Sequence, residues 1–404
     1  MSGCIYLYGY RILDTHYQDV TPTSDQPRIR GLARLINDSP KQPVAVVFAH
    51  GGGPDQAPGY SNPLRTALAR QLSLSMEPQC IPPQPLPNEP DDDPADHRAR
   101  RGKQSSQRAS DESALFSMCE YAIDVDRSLR FYELYWHPVW RRIWSANLKF
   151  DDDNPLGGLW LNHFAKKALL NDRFAEEVLY GGTFRNELLR PVRFLLCAIS
   201  DDGYANDLLG NRDGLPRCDF KKQALQTRPQ KRIVAVGMSL GSVMLIDGIA
   251  RARGDAKTAA DAVMAQMEAL FMLSNQVPVS RLADIRALPS ADAPEPVVSR
   301  EFVDLLHQRC ARREPLSSRA SVPKCSPLEI VAVTDPNDVA GYFIWQAQIP
   351  PDAEWPYATW TNALVHNARW AVPGLVANPV HAHEDHAENR DVIYIIACGV
   401  PAQC

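Results

Sequence analysis

No stretch of this 404-residue chain approaches the ~20 consecutive apolar residues of a membrane-spanning helix. A strong excess of charge of one sign is missing too. Lys and Arg number 43 against 48 Asp and Glu, a net of −5, which argues against nucleic acid as the main partner. The nine cysteines are odd in number, scattered, and never spaced C-x-x-C, so neither a disulfide framework nor a cysteine zinc site is expected. They read as reduced thiols, and the expected location is cytoplasmic. Residues Met1 to Asp14 lack the basic-then-apolar layout of a secretory signal, and neither end fits a lipidation pattern. Internal repeats are absent. Glycine is scarce beside proline, 22 against 33. With 45% apolar and 23% charged residues, the chain has the composition of a globular protein with a sizeable core.

What is present points to an α/β fold. Short runs rich in Val, Ile and Phe recur at Val44–Phe48, Ile233–Val236, Leu270–Leu273 and Leu328–Val333. Near-continuous apolarity over so few residues suits strands covered on both faces, as in a mostly parallel sheet. Helical patterns lie between them, with Leu64, Leu68 and Leu72 at i+4 spacing in Asn62–Ser75 and an Ala/Met-rich run at Thr258–Leu270. Weaker strand candidates are Ile5–Ile12, Leu129–Tyr135 and Thr359–Val365. Prolines concentrate in Ile81–Glu112, which also carries an Asp91–Asp93 run and a basic cluster, and this composition predicts a mobile loop. Trp136, Trp140 and Trp144 recur every four residues. Such a stripe fits a core helix or, with Arg141 and Arg142 beside it, a lipid- or acyl-facing surface interrupted by Pro138.

The chemistry gathers around Gly237-Met238-Ser239-Leu240-Gly241, a G-x-S-x-G pattern set between a strand-like run and an apolar helix-like run, Ser242–Ala252. A tight turn there would hold Ser239 in a strained backbone at a helix N-terminus, where free N–H groups favour developing negative charge. His50-Gly51-Gly52-Gly53 closes another strand. Backbone N–H groups of Gly51 or Gly52, paired with that of Leu240, would make an oxyanion hole. A nucleophilic serine needs a base and the base an orienting acid. Among the late histidines His383 is favoured, with His381 and His386 as alternates, while His307 reads as structural and His366 follows a strand. For the acid, Asp338 is first and Asp335 second, one of the pair being expected to cap its turn. The spacing His-x-His-x-x-His with Glu384 and Asp385 also admits zinc; no metal or other cofactor is expected.

These residues resemble the α/β-hydrolase superfamily, lipase and esterase branch. The glycine loop, the serine elbow and the order Ser, Asp, His carry the likeness. Ser239-Leu240-Gly241-Ser242 with Asp247 looks like intracellular lipases and phospholipases, and so do Leu273–Pro278 and Asp335–Asp338. Met238 departs from the His that lipases often carry there. The resemblance implies a mostly parallel central sheet with helices on both faces, and a serine hydrolase acting on carboxylic, lipid-like esters through an acyl-enzyme. The partner would be a small-molecule or lipid ester, with transient contact to a membrane surface. The span from His50 to Ser239 far exceeds the ~80 residues that a strand, two helices and loops need. An insertion is therefore expected at 80–215, a proline-rich loop plus an aromatic helical cap, between core segments 1–79 and 216–404. An acyltransferase using the same serine, a metal-dependent hydrolase at His381/His383/His386, and a non-catalytic hydrolase-like binding protein are the rival readings.

Overall fold

Strand β3 (Val44–Ala49) is buried along its whole length, and its alternating side chains enter two different cores. Ala45, Val47 and Ala49 face one, and Val44, Val46 and Phe48 the other. The same split recurs in β7 (Arg232–Met238) and β9 (Leu328–Thr334), which explains why these strands read as unbroken apolar runs. The computed structural model describes residues 16–19, 29–38, 43–52, 59–75, 77–85, 114–123, 128–149, 162, 166–167, 171, 174–200, 231–252, 254–285, 296–313, 326–354, 356–367, 370–372, 376–400 and 404.

The nine-stranded sheet also contains β1 (His16–Asp19), β4 (Gln79–Pro85), β5 (Leu115–Ala122), β6 (Ser128–Tyr135), β8 (Met267–Leu273) and β10 (Ala358–Leu364), while the short β2 (Ile29–Arg30) pairs apart from it with Gly399–Val400. Its order is β1-β10-β9-β8-β7-β3-β6-β5-β4. The six strands from β10 through β6 pair in parallel, and β1, β5 and β4 attach antiparallel at the two edges. On one face pack α3 (His137–Asn147), α5 (Arg185–Ser200), α6 (Leu240–Ala250), α7 (Asp255–Gln266), the short α8 (Val277–Ser280) and α9 (Arg300–Arg313). On the other lie α1 (Leu32–Asp38), α2 (Asn62–Gln71) and α11 (Arg390–Cys398). The architecture is α/β, with a mostly parallel central sheet between two helical layers.

Several expectations are corrected. The segment 80–215, expected as an insertion with an aromatic cap, supplies β5, β6 and nearly all of β4 to the central sheet itself. Trp136 and Trp140 are 0% exposed within the main core, so they form no acyl-facing surface. Pro138 does not interrupt their helix. It sits in the first turn of α3, where a missing N–H costs nothing, and Trp136 is the N-cap. The proline-rich run is in part the edge strand β4, a place where proline is tolerated because one row of N–H groups faces away from the sheet. Residues 86–113 and Ile5–Ile12 lie outside the described residues. The Ala/Met-rich helix ends at Gln266, and Met267 already begins β8.

The cysteines also differ from expectation. Cys80 and Cys119 form a disulfide across the β4–β5 pair, Cys398 bonds to Cys404, and Cys197 and Cys310 are disulfide-bonded as well. Every described cysteine is thus oxidised, where reduced thiols were expected. Among the described residues no helix is long and apolar enough to cross a membrane.

A core role for the tryptophans has a measurable consequence. Trp140→Ala is expected to destabilise the fold by about 3–5 kcal/mol, the usual cost of emptying a large core site, read as a lowered urea midpoint. A cap residue would leave that midpoint unchanged and alter only turnover.

Candidate active site

The turn from β7 into α6 is built by two close approaches. A side chain at Gly237 would strike Ser242, whose Cα lies 2.4 Å from the site of the missing Cβ, and one at Gly241 would strike the carbonyls of Ala49 and His50. With both glycines in place, helix α6 starts directly at the strand end and against the glycine loop. Ser239 between them has φ 54° and ψ −129°, a backbone region costing ~1–3 kcal/mol for a residue with a side chain. Its N–H is held by Leu273 O at 2.7 Å. Met238 points to the opposite core, where its sulfur accepts from Tyr60 Oη.

Three of the expected residues converge. His383 Nε2 lies 3.0 Å from Ser239 Oγ, and His383 Nδ1 lies 2.9 Å from Asp338 Oδ1. His383 sits on the short helix α10 (Pro379–Glu384), whose start is capped by the Asn378 side chain accepting from Val380 N–H. Asp338 stands in the turn after β9, where Ala340 N–H donates to its Oδ1 at 2.9 Å. Burial alone would raise the Asp338 pKa, but the His383 ring, the Ser274 hydroxyl and the Ala340 N–H outweigh it and hold the carboxyl below its ordinary value. The Asp338 carboxylate is therefore ionised at neutral pH.

The glycine loop meets the serine from the other side. A Cβ on Gly51 would lie 2.6 Å from Ser239 Cβ and 3.3 Å from its Oγ, so only glycine lets this backbone come so near. His50 anchors the loop. Its ring stacks on Trp136 with centroids 5.4 Å apart, its Nε2 accepts from Trp136 N–H, and its carbonyl accepts from Trp136 Nε1 at 3.0 Å. Nδ1 then carries the proton and donates to Gly51 O. Burial drives the His50 pKa down to about 3, so this imidazole is a neutral brace. Leu240 N–H opens α6 on the serine's far side, at the positive end of the helix.

The alternates have other duties. Asp335 Oδ1 accepts from Asn337 N–H at 2.8 Å and caps its turn, while Oδ2 accepts from Asn367 N–H. Asn367 in turn donates to Ala382 O at 3.0 Å and approaches His386 Nδ1, so Asp335 supports the histidine segment rather than His383 itself. His381 pairs with Asp385 at the surface, and His386 is fully buried, with burial pushing its pKa down to about 4. Facing separate partners, His381, His383 and His386 do not form a metal cage; among the described residues no group of three or more His, Cys, Asp or Glu side chains could hold a metal ion. His307 Nε2 contacts Asp352 O at 2.7 Å and its ring packs on Tyr357.

Sequence reasoning missed several residues. Ser274 ends β8 with φ 49° and is fully buried. Its hydroxyl donates to Asp338 Oδ2 and lies 2.7 Å from His383 Nδ1, so it braces these two side chains together. Only its φ > 0 distinguishes it from any other strand-end serine, and sequence does not display that. Helix α4 (Ala175–Gly181) brings two more carboxylates. Glu177 Oε2 accepts from Ser280 Oγ, and burial pushes its pKa up to about 7 against the opposing pull of Ser280 and His383. Glu176 is buried with its carboxylate against Gly52. Asp247 accepts from Tyr180 Oη at 2.6 Å and Arg281 Nη2 at 2.8 Å, tying α4 to α6.

In comparisons with known proteins, no family model, no curated protein and no solved structure matches the chain.

Two outcomes are expected. Ser274→Ala should lower kcat about 10- to 100-fold with KM nearly unchanged, the range set by one hydrogen bond to a charged group; an unchanged kcat would deny Ser274 its bracing role. Buried neutral His50 and His386 refuse protons that the unfolded chain accepts below its ordinary value of about 6.5. Stability should fall as pH drops from about 6.5 toward 4, and His386→Asn should flatten that slope in thermal melts.

Proposed function

We propose that this chain is a serine hydrolase of the α/β-hydrolase kind that cleaves carboxylic esters through an acyl-enzyme. The observation that carries the reading is the relay Ser239 Oγ to His383 Nε2 at 3.0 Å and His383 Nδ1 to Asp338 Oδ1 at 2.9 Å, placed on a strand-to-helix elbow. Ser239 Oγ attacks the ester carbonyl carbon while His383 Nε2 takes its proton. Asp338 keeps the Nδ1 proton in place and stabilises the imidazolium. N–H groups of Gly51 or Gly52 and of Leu240 receive the oxyanion. The tetrahedral intermediate collapses, the carbonyl re-forms, and His383 gives its proton to the departing alkoxide. Water, deprotonated by the same imidazole, then attacks the acyl carbonyl, and as the acid leaves His383 returns that proton to Ser239 Oγ.

Large apolar side chains are exposed on segments that carry or adjoin site residues: Val339, Tyr342, Phe343 and Trp345 after Asp338, Phe174, Val178 and Phe184 on and beside α4, and Leu282 after Ser280. These side chains, rather than the buried tryptophans, support the lipid-like side of the reading. The disulfides favour an oxidising compartment over the reducing cytosol as the place of work.

A fluorophosphonate probe should label the folded protein at one site, and Ser239→Ala should abolish both labelling and ester turnover at an unchanged melting temperature. Turnover should survive a chelator. Ester hydrolysis by Ser239→Ala at the wild-type rate would end the proposal.

A further inference from the structure

Glu176 is only 3% exposed, and the helix that carries it is fixed from its other end. Tyr180, one turn further on, is tied to Asp247 of α6, and Arg185 Nε donates to Tyr180 O at 2.9 Å while Arg185 Nη1 pairs with Asp284 at 2.6 Å. Gly181 packs so closely on this anchor that a side chain there would come within 2.8 Å of Ala283 Cβ. The anchored end is thus rigid and charge-paired. The other end projects over the active site, where Glu177 is held by Ser280 and Glu176 lies on the glycine loop. A Cβ built on Gly52 would overlap the Glu176 carboxylate, so that carboxylate lies directly against the Gly52 backbone. Ser239 and His383 beneath are 4% and 7% exposed, so the reacting atoms are almost closed to solvent.

A carboxylate in that place has a chemical meaning. An oxyanion hole is built to receive a negatively charged oxygen beside the nucleophile, and a carboxylate offers one at no reaction cost. Gly52 must be free of it before a substrate carbonyl can approach. We propose that α4 is a self-inhibiting plug: the Glu176 carboxylate fills the oxyanion pocket at Gly52, and an ester enters only when the Glu176 end of the helix lifts away from its Tyr180 anchor. The inference rests on the serine-hydrolase reading above and assigns its site a regulated entry. The chain then exists as closed and open populations, and the apparent reactivity of Ser239 is scaled by the open fraction.

The test is the rate of fluorophosphonate labelling of Ser239 in the full chain, compared among wild type, Glu176→Ala and Glu176→Asp. Alanine empties the pocket. Aspartate keeps the charge but is one methylene too short to reach it. Both variants should label at least about tenfold faster than wild type, as expected when a mostly closed population is opened. Added acetate should slow labelling of Glu176→Ala by refilling the vacated pocket and leave wild type unaffected. Equal or slower labelling of both variants, with far-ultraviolet circular dichroism and melting unchanged, would overturn the plug and leave the hydrolase standing. Absence of labelling in wild type and both variants would overturn the two together.

Discussion

The backbone N–H groups of Ser239, Ser274 and Val365 each cross to the neighbouring strand: Ser239 to Leu273 O, Ser274 to Val333 O, and Val365 to Thr334 O. They continue the parallel ladder one step past the strands' regular ends. Each N–H fixes where its chain leaves the sheet: Ser239 and Ser274 stand at two of those exits, and the third, at Val365, leads to Asn367, which holds Asp335. Two of the three exit residues, Ser239 and Ser274, have positive φ. Such conformations persist only where surrounding structure over-determines them. Here the determinants are these bonds together with strands buried on both faces, so the site's geometry is inherited from the sheet.

The second constraint is steric. Gly241 lets α6 press on the carbonyls of Ala49 and His50, Gly51 lets the loop reach Ser239, and Trp136 clamps His50 from the adjoining strand exit. The core and the site are therefore one object. Trp136 and Trp140 sit in the same cluster as Leu240 and Val243 of α6. A packing change there would reach the glycine loop through His50, without Ser239, His383 or Asp338 being touched.

How much of this was legible in the sequence follows from the range of each signal. Ser239, the glycine loop and the strands were readable because strand, turn and helix follow one another within a few residues, and apolar runs report burial directly. Choosing His383 over His381 and His386 needed only one helical turn of geometry, yet spacing alone left all three open. Asp338 and Asp335 separated only once Asn367, far along the chain, claimed Asp335. Ser274, Glu176 and the cysteine pairs were out of reach, since each depends on contacts between distant segments. The tryptophan stripe misled for a physical reason. Helical spacing shows that rings share a face but says nothing of what that face meets, and here it meets the sheet.

The central claim is that Ser239 becomes covalently acylated with His383 as its base. Rapid quenching of the protein with a chromogenic carboxylic ester, followed by peptide mass spectrometry, tests it most directly. The account predicts a burst of released alcohol approaching one equivalent and a matching acyl mass on the peptide containing Ser239, with both lost in His383→Ala. Steady release without a burst, or an acyl group found on any other residue, would contradict it.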